Sequence, residues 1–414
     1  MQRKILGLTI SEKNGTEKIK TKKQNQKKLL FLLISTIIFT SAQCAQNETN
    51  QNTKKDYIPE KIVIGGETSG KMLLIKNGKE KLLQEIKGAV FHQVIMSHDG
   101  KLIFAASPNQ NKVYVFDGGN LSLIKTIDVG EHPTHMSFDD EGKILSVVNE
   151  DSGEVSFISV ERLEELKRFS GFSTPHFARF YNNLWFVANF SSNKISVVDL
   201  EKGIIKELIA PGIPECERNE ECAFFDVSLR SGTGLALHKK SGTIIEFNTH
   251  TLEITKLVGK ENSLLKKAYE GLEDVSAFRI VISPFEPVAY GVFSKGVIMY
   301  DYVARDIFNI WVSDEKFFSQ FLIEYPGKVF VLMHDKNKIA IFSKFKLEKT
   351  VEVGGVPVEG IYYNGYIYVF VADEKTHKTK LLALDGEGKT FEIAEEDFFP
   401  AEGIHIPGAY PYCH

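Results

Sequence analysis

Residues 184–199 read LWFVANFSSNKISVVD: a short apolar run, a polar Ser-Ser-Asn turn, then a second run alternating apolar with polar side chains. Two such runs joined by residues that tolerate tight-turn backbone form an antiparallel hairpin. The unit recurs at intervals of about 42 residues along the chain. Its first run reappears as KIVIGGE (61–67), KLIFAAS (101–107), KILSVVN (143–149), GLALHKK (234–240), PVAYGVF (287–293), KVFVLMH (328–334) and YIYVFVA (366–372). Its second run reappears as GKMLLIK, NKVYVFD, GEVSFIS, GTIIEFN, KGVIMYD, NKIAIFS and TKLLALD, so both sets have eight members. A more polar third strand follows, as in LIKTIDV (123–129), IIKELIA (204–210) and LEKTVEV (347–353), and suits an exposed outer edge.

A further strand precedes the hairpin in seven units, for example FHQVIMS (91–97) and PTHMSF (133–138), but the first unit lacks it. The chain end offers the missing piece. Residues 357–361 read Pro-Val-Glu-Gly-Ile and residues 400–404 read Pro-Ala-Glu-Gly-Ile, the same innermost strand 43 residues later. A C-terminal strand completing a blade begun at the N-terminus closes a ring and hides both sheet edges. The expectation is an all-β propeller of eight four-stranded blades over residues 59–414, or seven should the terminal strand stand apart. Two insertions break the period, residues 210–222 and ENSLLKKAYEGLED (261–274), the latter with helical spacing at Leu264, Leu265, Ala268 and Leu272. Both fall between an outer strand and the next inner strand, and so rim one mouth of the ring.

Residues 29–42 (LLFLLISTIIFTSA) form an apolar run behind Lys27 and Lys28, too short to span a bilayer comfortably and the length of a signal-peptide core. Cys44 and the polar stretch 45–58 follow, a pattern resembling a bacterial lipoprotein leader with Cys44 as the lipidated residue. Thr40-x-Ala42 equally suits an ordinary signal peptidase, so a lipid anchor and free secretion stay open. Either way the expected location is the periplasm or cell envelope. Export places Cys216 and Cys222, in PECERNEEC, in oxidising surroundings, where a local disulfide is expected. Cys413 is left over beside His414, and no C-x-x-C-H for covalent haem occurs.

Charge narrows the partners. Residues 1–44 hold nine Lys/Arg and two Asp/Glu of the chain's 50 and 54, which leaves 41 against 52, a net −11 for the remainder. Such a body repels phosphate backbones, which argues against nucleic acid. The partners expected are a small molecule and envelope proteins. No nucleophile elbow, phosphate loop or H-E-x-x-H supports hydrolase or nucleotide chemistry.

The first residues of the innermost strands converge at one mouth: His92, His135, His176, Asp226, Arg279, Gln320, Glu359 and Glu402. Imidazole can ligate a metal centre or shuttle a proton. Arg279 can grip ligand carboxylates in a fork, and Asp226 can act as a base. The plainer alternative is that these groups hydrogen-bond one another around the pore. Register matters, because a one-residue slip turns a side chain away; if Pro133 and Pro175 are equivalent, Thr134 rather than His135 matches His176. No metal-ligand set is assigned, although Glu359, Glu402 and Asp226 would be the residues for a lactonase-like ion. The pairs Phe224-Phe225, Phe317-Phe318 and Phe398-Phe399 precede inner strands and suit blade packing or the wall of an apolar pocket.

Asn193–Asp199 (NKISVVD) after Val187-Ala188-Asn189 resembles the repeat of YVTN-type bacterial propellers. An eight-bladed ring behind an export leader is more narrowly similar to the cytochrome d1-like propellers, which include the haem-d1 biosynthesis lipoproteins of the NirF type. His92-Gln-Val-Ile-Met-Ser-His-Asp-Gly-Lys-Leu looks like the NirF-type first unit. That resemblance implies a d1-type haem or related tetrapyrrole in the central channel. His92 would be axial or facing the substrate, with His135, His176, Arg279, Glu359 and Glu402 around it. A non-catalytic YVTN-type scaffold for protein–protein interaction and a lactonase-like hydrolase remain the alternatives.

Overall fold

The computed structural model describes residues 57–407 apart from 214, 218, 219, 374, 377, 401, 402 and 404. The leader, the tether to residue 56, Cys44, Glu402 and Cys413 lie outside the described residues. The regular structure described is almost wholly antiparallel strand, arranged as eight sheets in chain order. Seven sheets have four strands, each strand pairing with its sequence neighbour.

Blade 1 takes Lys61–Gly65, Lys71–Lys76 and Glu80–Glu85 from the N-terminal side. Its innermost strand is the chain end. Val63 bridges His405 and Gly66 bridges Pro400, both antiparallel, and the Glu67 N–H donates to the Phe399 carbonyl at 3.0 Å. The eight-bladed ring with shared termini is therefore the observed architecture.

The remaining inner strands are Gln93–Met96, Pro133–Phe138, Pro175–Tyr181, Phe224–Arg230, Ile280–Ile282, Leu322–Tyr325 and Val356–Tyr363, in blades 2 to 8. The two central strands of each blade bury side chains on both faces, which is why they read as continuous apolar runs. Outer strands alternate between half-buried and exposed.

The core is divided among the contacts between blades. Phe91, Val94 and Phe116 pack with Met72 and Leu74 between blades 1 and 2, and Phe157 with Trp185 between blades 3 and 4. Ile62 and Ile64 pack with Tyr368 and Phe370 between blades 1 and 8, so the apolar contact runs round the whole circle. Burying an aliphatic or aromatic side chain contributes about 1.5–3 kcal/mol, which makes these sheet-to-sheet faces the main source of stability.

The insertion before blade 6 forms one short helix, α1 (Ser263–Ala268), capped by the Asn262 side chain. Leu265, Ala268 and Leu272 enter the contact between blades 5 and 6, while Leu264 stays exposed. Cys216 and Cys222 are disulfide-bonded in the loop before blade 5.

Closure also needs a glycine. Gly403 has φ +95°, and a Cβ there would lie 2.2 Å from the Val94 carbonyl oxygen of blade 2. Its N–H donates to the Glu359 carboxylate of blade 8. His405 beside it is buried, and desolvation holds its pKa down at about 3. The unfolded chain therefore takes up a proton near pH 6.5 that the folded chain refuses, and this contribution to stability is full above that pH and lost below it. The urea midpoint should fall between pH 6.5 and 4. His405→Gln should remove about 2–3 kcal/mol of that fall; an unchanged pH slope in the variant would refute the assignment.

Candidate functional site

Three imidazoles from consecutive blades meet at the mouth where the inner strands begin. The His92 and His135 rings lie 4.8 Å apart, edge to face, and His135 and His176 lie 4.3 Å apart. A β-bulge makes this possible. In blade 3 the register shifts between Pro133 and Met136, so Thr134 and His135 both turn inward instead of to opposite faces. Similar shifts sit at His176 in blade 4 and before Val227 in blade 5. Strict alternation would have kept only one residue of the Thr134-His135 pair.

Glu150, in the turn after a blade-3 central strand, completes the group. Its Oε1 lies 3.9 Å from His135 Nδ1 and 3.8 Å from His176 Nε2, and accepts a hydrogen bond from Thr134 Oγ1 at 2.8 Å. His176 Nδ1 donates to the Phe225 carbonyl oxygen at 3.0 Å, and its Nε2 is the nitrogen on the Glu150 side. The His135 ring hydrogen-bonds to the His176 backbone. Burial pushes its pKa well below the usual imidazole range, aided by His92, Arg279 and Arg179, so it stays neutral. His92 is half-buried, and its Nε2 has no hydrogen-bond partner among the described residues.

Packed against the His135 and His176 rings is an aromatic wall of Phe177, Phe190, Phe225 and Phe278. His176 sits 4.0 Å from the Phe225 ring, and the exposed Phe318 extends the wall from Phe278. Lys239 Nζ lies over the Phe190 and Phe278 rings at 4.9 and 5.2 Å. The Phe-Phe pairs divide their labour: Phe224 and Phe317 fill contacts between blades, while Phe225 and Phe318 turn to the mouth.

Below the mouth the channel is filled by side chains from different blades. Arg179 of blade 4 grips Asp226 of blade 5 with two hydrogen bonds, Nε to Oδ1 at 2.8 Å and Nη2 to Oδ2 at 2.5 Å. Arg279 Nε stands 3.3 Å from the same carboxylate, its guanidinium over Phe177, Phe225 and Phe321. Asp226, expected as a base, has both oxygens engaged by the Arg179 guanidinium. Arg279, expected to grip a ligand, faces Asp226 and aromatic rings. Glu359 holds the chain end through Gly403 N–H, and Gln320 meets His334 Nε2 through its backbone N–H at 3.3 Å. Deeper still, burial raises the pKa of Glu324 well above its ordinary value and keeps it protonated.

Two of these residues escaped the sequence. Arg179 shows its role only through a partner 47 residues away. Glu150 has a readable signal: its N–H donates to the His132 carbonyl, so the residue after a blade's second strand shares the mouth with the next strand's start.

The family model described as lactonase, seven-bladed beta-propeller, matches residues 82–176, a little over two of the eight blades here. No curated protein matches the sequence. Among solved structures the chain is similar to a dihydro-haem d1 dehydrogenase, NirN, in complex with DHE. There the TM-score is 0.63 at 14% identity, over 88% of this chain and 78% of that one. It is also similar to AztD from Citrobacter koseri (TM-score 0.59, 15% identity, 83% and 96% covered) and to Sqt1 from Saccharomyces cerevisiae (0.60, 10%, 75% and 87%). At such identities what is shared is the propeller fold.

The Arg179–Asp226 pair is buried on both sides, so removing one partner leaves an uncompensated charge. Asp226→Asn should lower stability by about 3 kcal/mol, read as a lower thermal midpoint. The double variant Arg179→Met, Asp226→Leu should recover part of that loss. A single variant as stable as the parent would show that the pair does not organise the channel.

Proposed function

We propose that this chain is an exported propeller that binds a d1-type haem, or a precursor of it, across the channel mouth, in a NirF-like maturation role. The observation that carries this reading is the half-buried His92. Its Nε2 is a nitrogen donor without a hydrogen bond among the described residues, and its ring contacts His135, which packs in turn on Phe177 of the aromatic wall. Nitrogen donor and aromatic surface together match the two needs of a planar metal macrocycle, an axial ligand and an apolar face. Support comes from the leader, which directs the chain to the envelope, and from the fold held in common with NirN, a dihydro-haem d1 dehydrogenase.

In this reading His92 supplies the axial nitrogen and Phe225, Phe278 and Phe318 cover one face of the ring. Lys239, half-buried over Phe190 and Phe278, meets peripheral carboxylates. His135 backs His92 and fixes the plane of its imidazole. Asp226, Arg179 and Arg279 keep the floor rigid, and Glu359 keeps the ring closed. Bound there, the macrocycle would supply redox chemistry at its own ring and iron, and the protein would supply ligation, orientation and exclusion of water.

Titration of the purified protein with a d1-type haem should shift the Soret band with saturation at one equivalent. His92→Ala should lose the shift, and added free imidazole should restore it. An unchanged spectrum on mixing, or an undiminished shift in His92→Ala, would overturn the proposal and leave the scaffold alternative standing.

A further inference from the structure

Behind His92 the same mouth holds a second arrangement with a different chemistry. His135 Nδ1, His176 Nε2 and a Glu150 oxygen all lie within 4.8 Å of one another, in a buried corner between blades 3 and 4. We propose that His135, Glu150 and His176 form a binding site for a divalent transition cation of the zinc type, separate from the His92 position and independent of any macrocycle.

The donor set selects the class of ion. Two imidazoles and one carboxylate suit zinc, cobalt, nickel or copper, whereas calcium and magnesium need mostly oxygen ligands. Ligands at about 2.0–2.2 Å around a tetrahedral ion stand about 3.3 Å apart. The carboxylate oxygen already stands 3.8 and 3.9 Å from the two imidazole nitrogens, so each needs to move by about half an ångström. Rotation of the Glu150 side chain, only partly buried and rooted in a turn, can supply much of that movement.

The surroundings are those of a metal site as well. Ligating histidines ordinarily give their second nitrogen to a backbone carbonyl or carboxylate, which fixes ring and tautomer. His176 does so to the Phe225 carbonyl at 3.0 Å, and the His135 ring is tied to the His176 backbone. Thr134 Oγ1 donates to the Glu150 carboxylate, an outer contact of the same kind. The bulge that turns both Thr134 and His135 inward thus provides a ligand and the group that orients its neighbour. His92 lies outside the donor cluster although its ring touches His135. Three protein ligands leave the remaining position for water or a ligand arriving through the mouth.

Titration of the full, untagged chain, stripped of metal, with Co2+ tests this. One equivalent should bind and give the intense visible bands of a four-coordinate cobalt centre, bleached by Zn2+ and untouched by Ca2+. Zn2+ should raise the thermal midpoint of the parent protein and leave that of Glu150→Gln unchanged. Glu150→Gln and His176→Ala should each weaken cobalt binding at least tenfold, with unchanged circular dichroism showing that they fold. His92→Ala should bind cobalt within threefold of the parent even where it loses the haem shift. Absence of the bands, undiminished binding in Glu150→Gln, or an equal loss in His92→Ala would overturn the assignment.

Discussion

The centre of this molecule exists because a few residues from the chain end lie against Lys61–Gly65. Without the Val63–His405 and Gly66–Pro400 bridges, blade 1 would present an unpaired inner edge. With them, every blade has an inner strand paired to its neighbour in the sheet and the eight strand starts are forced towards one axis. Gly403, wedged between the Val94 backbone and the Glu359 carboxylate, shows how little space that leaves. Closure is thus both the topological condition for a mouth and the steric limit on what can line it.

Crowding at the axis explains the chemistry found there. Polar side chains brought together in a dry interior must satisfy one another or carry a large penalty. The answer differs by sector. Across blades 4 to 6, opposite charges meet in Arg179, Asp226 and Arg279, packed on Phe177 and Phe225. Around Glu150, across blades 3 and 4, stand the His135 and His176 imidazoles, and burial holds the His135 pKa well below its usual range. One sector is locked by a carboxylate shared between two guanidiniums, and the other gathers imidazoles beside a carboxylate. Ligand chemistry belongs to the second.

The blade count was legible because it rests on period alone: eight paired apolar runs, and a Pro-x-Glu-Gly-Ile recurrence marking the last strand as an inner one. That His92 and His176 stand at the starts of inner strands was legible for the same reason, whereas His135 joins them through a bulge. Roles were not. Assigning Asp226 as a base needs knowledge of Arg179, which lies on a different blade and bears no local sign of pairing. Pro133 and Pro175 do hold the same register, which matches Thr134 with His176, but the bulge after Pro133 turns His135 to the mouth as well. Such bulges leave no mark in a pattern of apolar and polar letters, because the extra residue is absorbed at the strand start before the apolar run begins.

That failure of pattern is informative. Along the blades each local preference agrees with the whole, with apolar residues between sheets and Asn, Asp and Gly in the turns. At the mouth the agreement stops: three imidazoles touch one another, a carboxylate sits among them, and strands bulge to admit them. A chain selected for stability alone would have little reason to keep this, since phenylalanine or leucine at those positions would bury more cheaply. Proteins that break their own rules at one place generally do so for function. The eight apolar interfaces are what allow it, because a ring so thoroughly stapled can carry a destabilised corner without opening.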